Sequence, residues 1–167
     1  MSVIYLMCGI PGSGKSTWVK KHVGKFDKYV SRDDIRFSLL KNGDEYFARE
    51  KEVFEKFCEE IKLYLVDGYN VFVDATHINP SSRAKILKEI IPYSTGVSAV
   101  YVNTPLKIAL ERNEGRKDQG LRYVPPTAIN RMHRQFEEPT FEEGFDYIFT
   151  INGVTGHISF QKKEEKE

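Results

Sequence analysis

The sequence predicts a three-layer α/β domain in which helices cover both faces of a parallel sheet of about five strands. Segments with the composition of strands alternate along the chain with segments of helical periodicity. The strand segments are continuously apolar, which is typical of parallel strands that are buried on both faces. Because the 167 residues contain no repeat and no long linker, we expect one domain over residues 1–160 and a solvated tail over residues 161–167.

The predicted elements follow one another in a regular order. The strands span residues 3–8, 27–30, 70–73, 97–102 and 147–151, and residues 157–161 allow a short additional strand. The helices span residues 13–23, 33–40, 53–65, 80–91, 105–113 and 127–136. Apolar residues at helical spacing, such as Val53, Phe57 and Ile61, define the buried face of the third helix. Residues 114–125 are polar and lack an apolar period, which predicts a mobile loop.

Composition excludes several classes of protein. Hydrophobic residues make up 40% and charged residues 29% of the chain, which excludes collagen-like and mainly disordered proteins. No apolar run reaches the ~18 residues that a membrane span requires, and the N-terminus lacks the features of a signal peptide. With only two cysteines, Cys8 and Cys58, we expect no disulfide framework and a cytoplasmic protein.

Charge indicates a local rather than a global binding surface. The formal net charge is +1, so no overall field attracts nucleic acid. Residues 107–134 contain seven basic and three acidic residues, a local excess of +4. This segment is either a surface for an anionic partner or a set of scattered solvated charges. The four histidines lack the spacing of metal ligands, so we expect no structural zinc site and interpret His77 as a structural hydrogen-bonding residue.

The strongest motif is a phosphate-binding loop. Residues 9–16 match the pattern G-x-x-x-x-G-K-[ST] between a predicted strand and a predicted helix. Glycines let backbone N–H groups converge on an anion, and the N-terminus of the following helix adds positive potential. The Lys15 ammonium can reach the β- and γ-phosphates of ATP, and the Ser16 hydroxyl can ligate Mg²⁺. The predicted ATP-binding residues of the loop are Gly9, Pro11, Gly12, Ser13, Gly14, Lys15, Ser16 and Thr17.

Other features separate the classes of P-loop protein. A GTPase would need a base-reading N-K-x-D after a later strand, and the sequence has none. The small size and the arginines late in the chain favour a P-loop NTPase fold of the nucleotide-kinase type with a mobile lid. Arg112, Arg116 and Arg122 occupy or flank the predicted loop, where an arginine can neutralise the charge of a transferring phosphoryl group. Alternatively, they are solvated loop charges.

A second cluster of charged residues follows the second strand, at the edge of the sheet where ligands bind. There a carboxylate such as Asp33 can accept the proton of an attacking hydroxyl, while Arg32 or Arg36 holds a phosphate. The alternative is a helix cap, with Ser31 as the N-cap residue and Asp34 three residues later. A helix cap alone would not explain why Arg32 and Arg36 flank the two acidic residues.

The third strand ends in an acid at the same edge of the sheet. Asp74 can hold Mg²⁺, directly or through a water molecule, or orient an arginine, although buried strands also end in Asp for turn chemistry. Thr76 follows two residues later and is a candidate substrate-binding residue.

Five motifs occur in order along the chain. They are G-x-P-G-S-G-K-S-T-W from residue 9, R-D-D-x-R from residue 32, D-A-T-x-x-x-P-x-x-R from residue 74, R-N-x-x-R from residue 112 and E-G-F-x-Y-x-x-x-I from residue 143. Together they resemble the kinase module of the phage and bacterial polynucleotide kinases, which often occurs fused to a phosphatase or a ligase. R-D-D-x-R combined with R-N-x-x-R is the specific part. No D-x-D-x-T phosphatase signature follows them.

The resemblance implies a kinase that uses ATP and Mg²⁺ and phosphorylates the 5′-hydroxyl end of DNA or RNA. On the ATP side, it implies that Lys15 and Ser16 bind ATP and Mg²⁺. It further implies that Arg116 stabilises the transition state, with Arg112 as a companion arginine.

On the acceptor side, the resemblance implies that Asp33 is the general base, that Arg36 holds the phosphate of the acceptor and that Asp74 supports this arginine. Two alternatives are compatible with the same motifs. The first is a kinase that phosphorylates a hydroxyl of a small molecule or of transfer RNA. The second is a non-catalytic ATP-dependent binding switch, in which Asp33 would be dispensable.

Overall fold

The computed structural model describes residues 1–119 and 122–166. The strands are β1 (Val3–Cys8), β2 (Asp27–Ser31), β3 (Asn70–Asp74), β4 (Gly96–Asn103), β5 (Tyr147–Asn152) and β6 (Ile158–Lys162). The helices are α1 (Lys15–His22), α2 (Arg32–Leu39), α3 (Glu50–Val66), α4 (Pro80–Ile90), α5 (Leu106–Asp118) and α6 (Pro126–Gln135). Short 3₁₀ turns lie at Ile91–Tyr93 and Phe141–Glu143.

All six strands form one sheet in the order β2-β3-β1-β4-β5-β6. Strands β1 to β5 are parallel, and β6 pairs with β5 in the antiparallel direction. The predicted α/β fold and parallel sheet are confirmed, and the additional strand runs to Lys162 rather than ending before the expected tail. Because β1 lies at the centre, the loop that follows it opens between the carboxyl ends of β3 and β4.

Three apolar clusters hold the layers together. One fills the space between the sheet and helices α2, α3 and α4, and includes Leu6 and Phe57. A second lies on the opposite face of the sheet under α1, and includes Met7 and Phe72. The third lies between α5, α6 and the loop after β1, which contributes Ile10. Apolar packing of Ile10 therefore fixes this loop against α5 and α6.

Local capping fixes the helix starts that carry site residues. The Ser31 side chain accepts a hydrogen bond from the Asp34 backbone N–H at 3.2 Å, so the predicted N-cap of α2 is present. Helix α4 begins at Pro80, as the sequence predicts, and Asn79 before it forms a reciprocal capping box with Ser82. None of the helices in the described part of the chain combines the length and hydropathy needed to span a bilayer.

The predicted loop over residues 114–125 is wrong in its first part, because α5 continues to Asp118. Its last turns are made of residues that form helices readily, with Gly115 as the exception, and they lack an apolar period because this end of the helix is exposed. The buried Asn113 side chain then exchanges two hydrogen bonds with the Val124 backbone, at 2.7 and 3.0 Å. Residues 120 and 121 of the predicted loop lie outside the described residues.

Candidate active site

The loop between β1 and α1 has the shape of an anion cradle. Gly12 has a φ of 82°, and a Cβ built there would lie 2.4 Å from the Ala109 carbonyl oxygen, so only glycine fits. The Gly9 backbone N–H donates to the Thr76 carbonyl at 2.9 Å, which ties the loop to the segment after β3. Helix α1 begins directly after this loop, at Lys15, so its positive end faces the cradle.

Lys15 is the centre of charge in this cradle. Its side chain is buried, and Nζ donates to the carbonyl oxygens of Gly9 at 2.8 Å and Ile10 at 3.1 Å. Burial lowers the pKa of Lys15, the carboxylates of Asp74 and Asp33 oppose this effect, and Arg116 adds to it. Three other residues that the sequence assigns to the site, Asp33, Asp74 and Arg116, therefore act electrostatically on Lys15.

The residues of the cradle fit a nucleotide phosphate with Mg²⁺. The Ser13 hydroxyl is buried and has no hydrogen-bond partner among the described residues, as expected of a donor kept for a ligand. Ser16, in the first turn of α1, and Asp74, at the end of β3, supply the oxygen ligands that Mg²⁺ prefers.

Two side chains brace the cradle from the side of β4 and α5. Arg112 donates to the Ser13 carbonyl at 3.1 Å and to the Gly153 carbonyl at 2.7 Å. The Thr104 hydroxyl donates to the same Ser13 carbonyl at 2.7 Å. Arg112 thus holds the backbone of the loop, and its predicted contact with ATP stays a prediction. Thr104 belongs to none of the motifs, so sequence reasoning missed it.

Asp33 and Arg36 meet on the acceptor side, one turn apart in α2. Arg36 is buried and binds the Asp33 carboxylate, and it donates to Glu50 Oε1 at 2.8 Å and to the Tyr46 hydroxyl at 3.0 Å. The Tyr46 hydroxyl in turn donates to Asp33 Oδ1 at 2.7 Å. Burial and the nearby Asp33 carboxylate raise the pKa of Tyr46, so the phenol keeps the proton that it donates.

Glu50, the first residue of α3, holds both arginines of the R-D-D-x-R motif. Its two carboxylate oxygens accept from Arg36 and, at 3.0 Å, from Arg32. Sequence reasoning missed Glu50 and Tyr46 because a ten-residue connection separates α2 from α3. The sequence spacing does not predict which residues in or just after this irregular connection contact the site.

Asp74 has a different partner from the one that the resemblance implies. Its carboxylate accepts a hydrogen bond from the Tyr29 hydroxyl at 2.6 Å, and no bond to Arg36 occurs among the described residues. Burial raises the pKa of Asp74, while Lys15 opposes this effect. Glu50 occupies the place beside Arg36 that the resemblance gives to Asp74, and the Asp74 carboxylate acts electrostatically on Lys15 of the cradle instead.

Two further arginines lie at the opening of the site. Arg116 is half-buried in the last turn of α5 and not in a loop, and its charge reaches Lys15. Arg122 is exposed and pairs with Asp34 in the first turn of α2. Arg122 thus lies beside the first turn of α2.

His77 adopts a strained conformation beneath the site. Its φ is 43°, a left-handed value that non-glycine residues rarely adopt, and its Nδ1 lies 2.6 Å from the Met7 carbonyl oxygen. Burial lowers its pKa to about 3, so the ring is neutral at physiological pH. The contact links β1 to the segment after β3, in agreement with a structural role.

A family model described as an AAA domain matches residues 4–139, from β1 through the phosphate-binding loop to just past the end of α6. The chain belongs to this family. The match includes every residue that the geometry brings together around Lys15 and Asp33.

Two viral proteins are relatives of this AAA domain. A protein of Autographa californica nuclear polyhedrosis virus, named a bifunctional polynucleotide kinase/RNA ligase, is 29% identical over 146 residues, which cover 80% of this chain and 20% of the viral protein. A protein of Acanthamoeba polyphaga mimivirus, named a bifunctional polynucleotide phosphatase/kinase, is 29% identical over 153 residues, covering 87% of this chain and 32% of the relative. The chain therefore spans a fifth to a third of these relatives, and the resemblance to polynucleotide kinase modules is confirmed.

Solved structures share the fold of this AAA domain. A chain of the Pnkp1/Rnl/Hen1 RNA repair complex gives a TM-score of 0.71 at 23% identity, covering 80% of this chain and 43% of that chain. A structure described as a kinase from Chloroflexus aurantiacus gives a TM-score of 0.73 at 15% identity, covering 92% of this chain and 86% of that chain. At these identities the likeness concerns the fold, and it confirms the predicted P-loop α/β architecture.

Proposed function

We propose that the chain is a kinase that uses ATP and Mg²⁺ to phosphorylate the 5′-hydroxyl end of a nucleic acid strand. The observation that carries this proposal is the position of Asp33, whose carboxylate is bound by Arg36 and Tyr46 and whose charge acts on Lys15. A neutral hydroxyl acceptor needs a general base, whereas an acceptor that is already anionic does not. Two relatives named as polynucleotide kinases support the proposal.

On the ATP side, Lys15 leaves the carbonyl oxygens of Gly9 and Ile10 to bind the β- and γ-phosphates. Ser16 and Asp74 would hold Mg²⁺, and the ion would supply positive charge beside the phosphate oxygens. Arg116 approaches from the end of α5 and stabilises the phosphoryl group as it transfers.

On the acceptor side, Asp33 takes the proton of the 5′-hydroxyl while Tyr46 and Arg36 fix the orientation of its carboxylate. Arg36, together with Arg32, binds a phosphate of the strand, and Glu50 sets the position of both guanidinium groups. Thr76 lies beside the phosphate cradle as a further substrate contact.

The experiment is transfer of labelled γ-phosphate from ATP to 5′-hydroxyl DNA and RNA oligonucleotides, compared with nucleosides and sugars at the same concentrations. The matched control is Lys15→Ala, which removes the charge between the phosphates and should abolish transfer in a protein that still folds by circular dichroism. Efficient transfer to a nucleoside or sugar, with none to any oligonucleotide, would make the chain a small-molecule kinase instead.

A further inference from the structure

Three aromatic rings cluster near Asp33, one in α2 and two in the connection between α2 and α3. Phe37 and Tyr46 lie edge to face with ring centroids 5.9 Å apart, and Tyr46 and Phe47 do the same at 4.6 Å. Phe47 is 45% exposed and belongs to none of the three apolar clusters of the core. We call Phe37, Tyr46 and Phe47 the aromatic cluster.

The aromatic cluster starts at the proposed general base. The Tyr46 hydroxyl is 2.7 Å from Asp33 Oδ1, and the ring of the same residue contacts Phe47. One tyrosine side chain therefore separates the carboxylate from the exposed ring. In a nucleotide, one ribose similarly separates the 5′-oxygen from the base, so a strand with its 5′-oxygen at Asp33 can bring its terminal base to Phe47.

Two guanidinium groups flank the rings. The Arg36 guanidinium carbon lies 4.4 Å from the Tyr46 ring centroid and 5.6 Å from that of Phe47, and the Arg122 guanidinium lies 4.8 Å from that of Phe37. Both cations are paired with carboxylates, Arg36 with Asp33 and Arg122 with Asp34. The aromatic cluster is thus an edge-to-face group of rings beside guanidinium groups whose charges are balanced by carboxylates, and its exposed Phe47 ring offers a polarisable surface to a neutral heterocycle.

Proteins that bind single strands without sequence preference stack the bases on aromatic side chains and on arginine, because every base has a π face. A sugar or another aliphatic hydroxyl acceptor has no such face. We propose that the aromatic cluster stacks on the base of the 5′-terminal nucleotide of the acceptor, with Phe47 as the contacting ring. This inference rests on the proposed function, and it assigns the contact with the terminal base to the connection between α2 and α3.

The test measures equilibrium binding of two short 5′-hydroxyl oligonucleotides by fluorescence anisotropy. They are identical except that one has an abasic sugar at its 5′-terminal position. The wild-type protein should bind the abasic strand roughly tenfold more weakly, since base–aromatic stacking is worth about 5- to 150-fold in affinity. Phe47→Ala should lose the same factor for the normal strand and nothing further for the abasic strand.

Phe160→Ala is the matched control, because this phenylalanine is 63% exposed on β6, at the opposite edge of the sheet from β2. It should bind both strands as the wild-type protein does. Equal affinity of the wild-type protein for the two strands would overturn the stacking proposal, as would an equal loss for both strands in Phe47→Ala. Base-dependent binding without phosphate transfer would contradict the proposed kinase function alone, and transfer with base-independent binding would contradict the stacking surface alone.

Discussion

At the scale of single residues, Asp33 is both the proposed general base and an acidic residue in the first turn of α2. The Ser31 side chain caps α2 and Asp33 does not, so a substitution at Asp33 can test the general-base role without removing the cap. Asp33→Asn should therefore lower turnover by roughly 10²-fold or more, with little change in ATP affinity, since general-base help is typically worth that much. Steady-state kinetics with varied ATP and acceptor measure this effect.

The control for Asp33→Asn is Ser31→Ala, which removes the cap and leaves the carboxylate. It should cost about 1 kcal/mol of unfolding free energy, the usual worth of an N-cap side chain. If Asp33→Asn turned over at the wild-type rate, Asp33 would be only a structural partner of Arg36 and Tyr46.

His77 makes the stability of the fold depend on pH. Its pKa is lowered to about 3 by burial, and the charges of Arg32, Lys15 and Arg83 act in the same direction. Below pH 6.5 the unfolded chain gains a proton that the folded chain does not, so stability falls as pH falls from 6.5 toward 3. Between pH 7 and pH 5 this residue alone should remove about 2 kcal/mol of unfolding free energy.

His77→Asn tests this expectation, because asparagine tolerates the left-handed conformation and does not titrate in this range. Urea unfolding at pH 7 and pH 5 gives the pH-dependent loss for each protein. The loss should be smaller in His77→Asn by about the amount assigned to the histidine. An identical loss in both proteins would mean that the ring takes up its proton in the folded state.

The candidate site could be predicted from sequence where its residues lie in a short motif. Lys15 and Ser16 follow from the phosphate-binding loop, and Asp33 and Arg36 from the end of a strand, because strand ends and helix starts fix where such side chains lie. Tyr46 and Glu50 could not be predicted, because their contacts depend on the path of an irregular connection. The partner of Asp74 also depends on packing, since Tyr29 reaches it from the neighbouring strand.

At the scale of elements, the parallel strands are the best-predicted part of the fold. A short, continuously apolar segment is typical of a parallel strand that is buried on both faces of a sheet. Strands β1, β3 and β4 accordingly lie within a residue or two of their predicted bounds. The end of α5 is the worst-predicted part, because an exposed helical turn has no apolar period to reveal it. Its polar residues are compatible with a loop and a helix alike.

Helix α5 gives Arg116 a firmer position than a loop would. Its charge already acts on Lys15, yet the described part of the chain supplies no hydrogen-bond partner for its guanidinium. Arg116→Ala should therefore lower kcat more than it weakens ATP binding, because its partner charge develops mainly in the transition state. Single-turnover kinetics together with ATP titration separate the two effects.

Lys117→Ala is the matched control for Arg116→Ala, because this lysine is the next residue of the same turn and is exposed. It should leave both constants near their wild-type values. If Arg116→Ala raised only the Michaelis constant for ATP, the arginine would be a clamp on the bound nucleotide rather than a transition-state group.

At the scale of the whole molecule, the parallel sheet brings the two halves of the site together. The phosphate cradle follows the central strand β1, and the acceptor residues follow β2 and β3 at the same edge of the sheet. Six of the seven basic residues of the segment 107–134 lie on α5 and α6. The seventh, Arg122, is paired with a carboxylate, as are Arg32 and Arg36. The arginines of α2 therefore have little uncompensated charge to offer the backbone of a strand.

This charge balance predicts how acceptor binding responds to salt. Each phosphate neutralised on a single strand adds about −0.7 to the slope of log affinity against log salt concentration, so two to three contacts give a slope of about −1.4 to −2.1. Arg36→Ala should make the slope shallower by about one contact, whereas Lys20→Ala, exposed in the last turn of α1, should not change it. Titrations of a 5′-hydroxyl oligonucleotide at several salt concentrations give the slopes. A slope near zero would mean that the strand's phosphates are not bound, and a slope steeper than about −3.5, five contacts or more, would reveal a basic surface beyond these arginines.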